Sequence, residues 1–572
     1  MIDRRAGQPV ALVLATIALL VLSLSTGRAS PGAGNKQAQP AKILHEARTV
    51  AAAIQEPTER LPALEGILRA QIELDPAGAE DSLKTFPNLP NRPDHFAALA
   101  LVYARAGNID ETERMYAEIR IEGHSSRRGK LAATDARGYL AIAYATAGKT
   151  EEALRVVSQM KDQSRERLPA VIGVAMGKIA EAQAKQGDIA AAAQTAAAIA
   201  NEDPSVLMSI VGGRVRAGDM PGALRIISEL DEGLQRYAQW GIVRAQKEQG
   251  RLTAAQLTAS AINPGHAKAS ALLELARYHI TAGAKPMAAG LLQEAATAAS
   301  STVNEAAKAD VLRQIAAAMA EAGETFTAIE TAKSIEMDTY RRSAVHDIVK
   351  AQARQGEAKG AFNTSLLLKR DDETVRDAHD SYESAVGDVL AELAKSGRAK
   401  EARQAVGNFE DLRPRHRLLY ARVAEAQADS GDIQGAKATL LLVETEQQRG
   451  TRKKELLRLS QLPQEHLSEE DRRRLQDLRD IDNSVRLALE AQAKAQAGKG
   501  DLRTAVATAD GLTNSSDRFR LIQDIGAIQV QAGRTSQALV WARALPSPSD
   551  KAYALLGIAQ GLSAPKTKPA AK

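Results

Sequence analysis

The chain has no cysteine, and that absence alone removes disulfides, thiolate metal sites, a cysteine nucleophile and a lipid-modified cysteine anchor. Aromatic residues are almost as scarce, 3% of the sequence, with 2 Trp, 6 Phe and 10 Tyr spread along its length. Clefts that cleave polysaccharide rely on aromatic platforms beside paired carboxylates, so this scarcity argues against a glycan-active enzyme. A charge field of one sign is missing too. The formal net charge of +5 sits at the two ends, on Arg4, Arg5, Arg28, Lys36 and Lys42 and on Lys566, Lys568 and Lys572, which leaves the body near neutral. Phosphate backbones demand a one-sided basic surface, and the expectation drawn from this balance is no nucleic-acid partner.

What is abundant is aliphatic. Hydrophobic residues make up 44% and are carried by Ala, Leu, Ile and Val, a composition that favours helices. Twelve glycines, Gly107, Gly148, Gly187, Gly218, Gly250, Gly283, Gly323, Gly356, Gly397, Gly431, Gly500 and Gly533, are each followed five residues later by a small side chain, alanine in every case but Thr112. Eight residues before each glycine stands a large aliphatic residue, from Leu99, Leu140 and Ile179 through to Ile525, with Gln492 as the exception. The aliphatic residue marks the buried stripe of a first helix. The glycine suits the left-handed position that ends it, and the small residue lets a second helix approach closely. Asn108, Asp188, Asp219, Asp432 and Asp501 follow their glycines where a side chain can cap the second helix, and Pro221 and Pro286 fall in its first turn.

Successive glycines are 41, 39, 31, 32, 33, 40, 33, 41, 34, 69 and 33 residues apart, a base period near 34 with lengthened loops and one doubled interval. Repetition at this period predicts an all-α solenoid of stacked antiparallel hairpins, about 12 to 14 of them, in a right-handed superhelix. The pattern resembles the tetratricopeptide repeat, best in Leu140, Tyr144, Gly148 and Ala153 of LAIAYATAGKTEEAL. It departs from that family in lacking the early Trp and in keeping the tyrosine only at Tyr103 and Tyr144 and the closing proline mainly at Pro204. The resemblance implies a scaffold whose inner curve, lined by first helices, binds protein or peptide.

Residues 1–29 have the layout of a secretory signal: Arg4 and Arg5, an apolar stretch from Val10 to Leu24, then small residues up to Ala29. Fifteen helical residues span about 22 Å, short of the roughly 30 Å of a bilayer core, so export with cleavage is expected, or a membrane anchor through 10–24 if the segment is kept. The expected organisation continues with a flexible linker over 30–42, a degenerate N-terminal capping repeat over 43–90, and repeats over 91–446. A charged degenerate repeat or insertion follows over 447–481, then further repeats over 482–564 and a disordered basic tail over 565–572. Ser468 and Asp471 are spaced as a capping box at the start of the charged helix.

Catalytic signals are absent. Gly148, Lys149 and Thr150 imitate the end of a phosphate loop, but the required first glycine is Ala143 and no strand precedes it. The nine histidines, among them His266, His279, His346, His379 and His416, never pair at three or four residues as helical metal ligands would, and Asp371, Asp372 and Glu373 lack a calcium loop. Neither cofactor nor metal is expected. Candidate partner contacts lie six and ten residues before the turn glycines: Glu181, Arg244, Arg277, Lys350, Glu425 and Lys494 in the first set, Trp240 and His346 in the second. Trp240 with Arg244, and His346 with Lys350, share helix faces, and Arg244 beside Arg277 in the next repeat forms a basic patch suited to an acidic peptide. The expected function is a non-catalytic protein- or peptide-binding scaffold in an exported or envelope-associated assembly. The alternatives are an envelope adaptor that holds wall or surface components, and an all-helical glycan-active enzyme.

Overall fold

The computed structural model describes residues 34–122, 127–163, 170–198, 205–369, 376–463 and 466–564. The signal segment 1–29, the tail 565–572, Pro204 and the acidic run Asp371–Glu373 lie outside the described residues. Within them every regular element is helical, and the helices form an α-solenoid of hairpins.

One hairpin shows how the sequence builds the rest. Asp231 accepts from the Leu234 amide at 3.0 Å and starts the helix Glu232–Glu248. Gly250, at φ +74, ends it, with the Arg251 amide donating back to the Gln246 carbonyl at 2.8 Å. The helix Leu252–Ala261 then returns along the first. All twelve turn glycines have φ between +71 and +97, and all twelve residues five positions later are completely buried, Thr112 included. Each Asp or Asn expected as a cap accepts an amide at the next helix start, at Glu111, Ala191, Gly222, Gly435 and Thr504. The aliphatic stripe is buried from Leu99 to Ile525, except for half-buried Leu140. Gln492, the polar exception, is also buried, and its carbonyl oxygen has no partner.

Two polar devices in the same register were not read from the sequence. Four residues before the glycine, Gln246, Gln427 and Gln496 accept from a threonine eight residues after it: Thr258 at 3.0 Å, Thr439 at 2.6 Å and Thr508 at 2.9 Å. Each bond staples the two helices of a hairpin inside an otherwise apolar seam, where an unpaired amide would cost about 1–3 kcal/mol. Immediately before the glycine, Gln186, Gln249 and Gln355 donate to carbonyls at the turn that ends the preceding repeat's first helix, as Gln355 does to Ala320 at 2.9 Å. Both signals were present as recurring glutamines. Only packing shows which bond each one makes.

Successive first helices pack against one another, whereas second helices rest mainly on their own partners. The layer of first helices is therefore the shorter one and forms the inner face of a bend. The bend brings the ends together. The helix Pro548–Ser563 packs against Gly34–Ala52 and Pro57–Leu74, and one hydrophobic core runs across the junction. In phase with the array, Leu556 and Gln560 stand eight and four residues before Ala564, so this helix holds the place of a first helix. The helix seated where its hairpin partner belongs is Gly34–Ala52, and it buries Ala47 and Ala51, followed by Ile54. The spacing is that of Ala255, Ala259 and Ile262, or Ala328, Ala332 and Ile335, in ordinary second helices. Among the described residues the solenoid is thus a closed ring, with one hairpin built from its first and last helices.

Two expectations change accordingly. The segment 43–90 does not cap an open end; its helices complete the ring. The linker placed at 30–42 is helical from Gly34 onward, through Pro40, as the start of the helix Gly34–Ala52. The doubled interval contains the helices Glu446–Ser460 and Glu469–Gly498. The second starts at the anticipated capping box of Ser468 and Asp471 and runs 30 residues without a turn into the next repeat. Leu456, Leu459, Leu467, Leu475 and Leu478 give this hairpin a small core of its own.

Candidate binding surface on the inner face

The residues singled out as partner contacts share the inner face, but each cluster contains an acid from the adjacent repeat. Trp240 and Arg244 lie together, the guanidinium 5.7 Å from the ring centroid. The indole N–H donates to Glu274 at 3.0 Å, Arg244 lies 3.5 Å from the same carboxylate, and Lys247 also pairs with it. Burial opposes the charge of Glu274, but the hydrogen bond from Lys247, the charge of Arg244 and the bond from Trp240 outweigh it and hold the carboxyl below its usual range. Arg277, three residues further along that helix, is exposed. The basic patch expected from Arg244 and Arg277 therefore carries an acid at its centre.

His346 and Lys350 meet the same fate at Asp388, with Nε2 at 2.9 Å and Nζ at 3.2 Å from Oδ2. Arg422, one repeat further on, approaches Oδ1 at 2.5 Å. Burial raises the Asp388 pKa, yet the His346 hydrogen bond and the charges of Lys350 and Arg422 bring it down to about 2. Lys494 completes the series with Asp524 at 2.8 Å. The rule is a cation six residues before one turn glycine and an acid nine before the next: Arg244 with Glu274, Lys350 with Asp388, Lys494 with Asp524. Arg313 and Asp347, at 2.7 Å, are a variant with the cation at ten. The acids stand at position nine, outside the positions six and ten from which partner contacts are expected, and that recurrence is their signal in the sequence.

This ladder gives a pH prediction. Asp388 has a folded-state pKa of about 2, below its ordinary value of 3.8, so its stabilisation is present above pH ~4 and lost as pH falls towards 2. Asp388→Asn is expected to lower stability by about 2 kcal/mol at neutral pH. Melting curves of the native and substituted chains should converge as the pH is lowered to about 2. A gap that stays constant with pH would refute the assignment.

Where the insertion interrupts the period, the inner face opens into a cleft of about 600 Å³. Its walls come from Arg376–Leu393, His416–Asp429 and Glu469–Gly498, with Arg415 just before the second of these, and no second helix contributes. Arg415 bridges Glu383 at 3.5 Å and Asp480 at 3.1 Å, and Gln476 and Asn483 add amide groups. A neighbouring pocket of about 210 Å³ shares Arg422 and reaches Lys350, Asp388 and Glu425. Both are polar, both hold paired carboxylates, and neither is lined by an aromatic ring. Such a surface can hydrogen-bond an extended chain but offers a sugar no stacking platform. Among the described residues no group of three or more acids and histidines is placed to hold a metal ion, and no helix is long and apolar enough to cross a membrane.

No family model matches the chain, and no curated protein matches it. Similar solved structures include the pentatricopeptide repeat protein PPR10 from maize, 14% identical, covering 97% of this chain and 78% of that one with a TM-score of 0.24. PPR10 in complex with an 18-nt psaJ RNA element is 12% identical, covers 97% and 86%, and has a TM-score of 0.33. Importin beta is 11% identical, covers 92% and 70%, and has a TM-score of 0.33. The likeness is one of stacked helical hairpins. The chain is a helical-repeat protein of the α-solenoid class.

The expectation of no nucleic-acid partner is corrected here, since these helical-repeat structures include one bound to RNA. Cations and acids are paired locally along the inner face, so the net charge of the whole body describes no single groove.

Proposed function

We propose that this protein is a non-catalytic scaffold of tetratricopeptide-like hairpins, and that its inner face binds a protein or peptide partner in an exported or envelope-associated assembly. The observation that carries the reading is the polar cleft at the insertion, where three first helices present amides and paired charges to one groove. Side chains held in ion pairs are preorganised for an extended backbone and exchange partners at modest cost, while the missing aromatic platform weighs against glycan chemistry. The apolar stretch at 10–24 supports export. An envelope adaptor for wall or surface components is the second form of the same reading.

The test places a photo-crosslinking side chain at Asn483 in the cleft and, separately, at Leu257 on a second helix, which is 69% exposed. Crosslinking in the native envelope fraction should yield a defined protein adduct from position 483 and none from 257. Adducts from 257 alone, an RNA adduct, or release of shortened glycan would each overturn the proposal.

A further inference from the structure

The ring junction has the makings of an exchangeable contact. Gly34–Ala52 packs more extensively on Pro548–Ser563, at the far end of the chain, than on its own neighbour Pro57–Leu74, to which residues 53–56 join it. Its buried Ala47 and Ala51 repeat the spacing of Ala255 and Ala259, or Ala328 and Ala332, in second helices, so its seat is defined by hairpin geometry. Around the rim, Arg543 grips Glu46 through two bonds of 2.8 Å, and Ser549 donates to Glu59 at 2.5 Å. None of these contacts depends on the two helices belonging to one chain.

We propose that the seat on Pro548–Ser563 accepts the helix 34–52 of a second copy of this protein, so that two chains trade closing helices and form a dimer with two intermolecular hairpins. An exchanged dimer keeps the contacts of Leu44, Ala47 and Ala51 with the seat, changes those of the connection, among them the bond from Arg60 to the Ile54 carbonyl, and gives up the high effective concentration of the tethered helix, which makes the balance depend on protein concentration. The short connection over 53–56 is the hinge, and short hinges favour exchange over folding back. The partner is specified by chemistry: a Leu-x-x-Ala-x-x-x-Ala face, Leu44, Ala47 and Ala51, with a carboxylate at position 46 to meet Arg543.

Because the chain lacks cysteine, thiols can be introduced singly. In the full chain, Glu46→Cys with Arg543→Cys should be joined by a flexible bismaleimide within one molecule in dilute solution. The two single variants, Glu46→Cys and Arg543→Cys, are then mixed in equal amounts, passed through partial denaturation and refolded at increasing concentration before the reagent is added. A crosslinked heterodimer whose yield rises with concentration is the expected result. A double variant that closes on itself, with single variants that never join at any concentration, would overturn exchange while leaving the ring intact. A double variant that fails to join within one chain would overturn the ring and the proposal with it.

Discussion

Arg452→Ala is expected to cost about 3–5 kcal/mol, more than any exposed ion pair in the ring, because it strips a partner from a buried carboxylate. Arg452 and Glu444 are 6% and 5% exposed and form two bonds, at 2.9 and 3.1 Å. Arg452 also pairs with Asp482, which accepts from Thr513 at 2.7 Å, and the adjacent Lys453 reaches the Leu512 carbonyl at 2.9 Å. This knot ties the inserted hairpin to the repeats on both sides. Burial opposes the charge of Arg452, but its two carboxylate partners outweigh that and raise its pKa, so it remains charged at any ordinary pH. Hydrogen exchange should show early opening over 446–498 in Arg452→Ala, with distant repeats such as 266–299 unchanged. Arg452→Met combined with Glu444→Leu should recover part of the loss, since Glu444, the more buried of the two carboxylates, is no longer left as a lone charge, while Asp482 keeps its bond from Thr513. A double variant as unstable as the single one would show that shape, not charge, sets the cost.

The second large effect lies at the junction. Gly557 sits where the last first helix crosses Ser515–Gln531, and a Cβ there would land inside the Gln523 carbonyl group, which is backbone and cannot swing away. Gly526, on the facing helix, is similarly tight, with a Cβ 2.6 Å from the Ala554 carbonyl oxygen. Gly557→Val is therefore expected to cost about 3 kcal/mol or more, the upper range of overpacking, and to loosen the ring by displacing Pro548–Ser563. Gly290 supplies the contrast: it is exposed in the helix Lys285–Ala299 with nothing within 4 Å, so Gly290→Ala should stabilise by about 0.5–1 kcal/mol. Thermal melts of both variants check the signs, and hydrogen exchange over 34–52 reads whether the junction has opened. A Gly557→Val chain that melts like the native one would mean that these helices do not approach so closely.

Legibility in the sequence followed the range of the interactions. The glycine turns, the caps at Asp219 and Asp432 and the capping box at Ser468 all depend on residues within a few positions, and each left a spaced signature. The inner-face ladder was half visible. Arg244 and Lys350 are legible from their spacing to the turn glycines, but Glu274 and Asp388 lie about a repeat further along, and their pairing exists only once adjacent first helices are in register. The same holds for Gln427, whose partner Thr439 is twelve residues away across a hairpin.

The sequence by itself determined the repeat unit, its phase and which helix of each hairpin carries the aliphatic stripe, because all three are set by backbone conformation and local spacing. Only the tertiary structure decided that the ends meet, that Gly34–Ala52 serves as a second helix for Pro548–Ser563, and that the polar cleft falls at the insertion. Closure depends on the summed bend of the whole array, a small angle per repeat fixed by contacts such as Met208 against Gly241, where a Cβ would lie 2.5 Å from a carbonyl oxygen. No local pattern encodes that sum, so a solenoid that spirals open and one that closes on itself can share the same repeat.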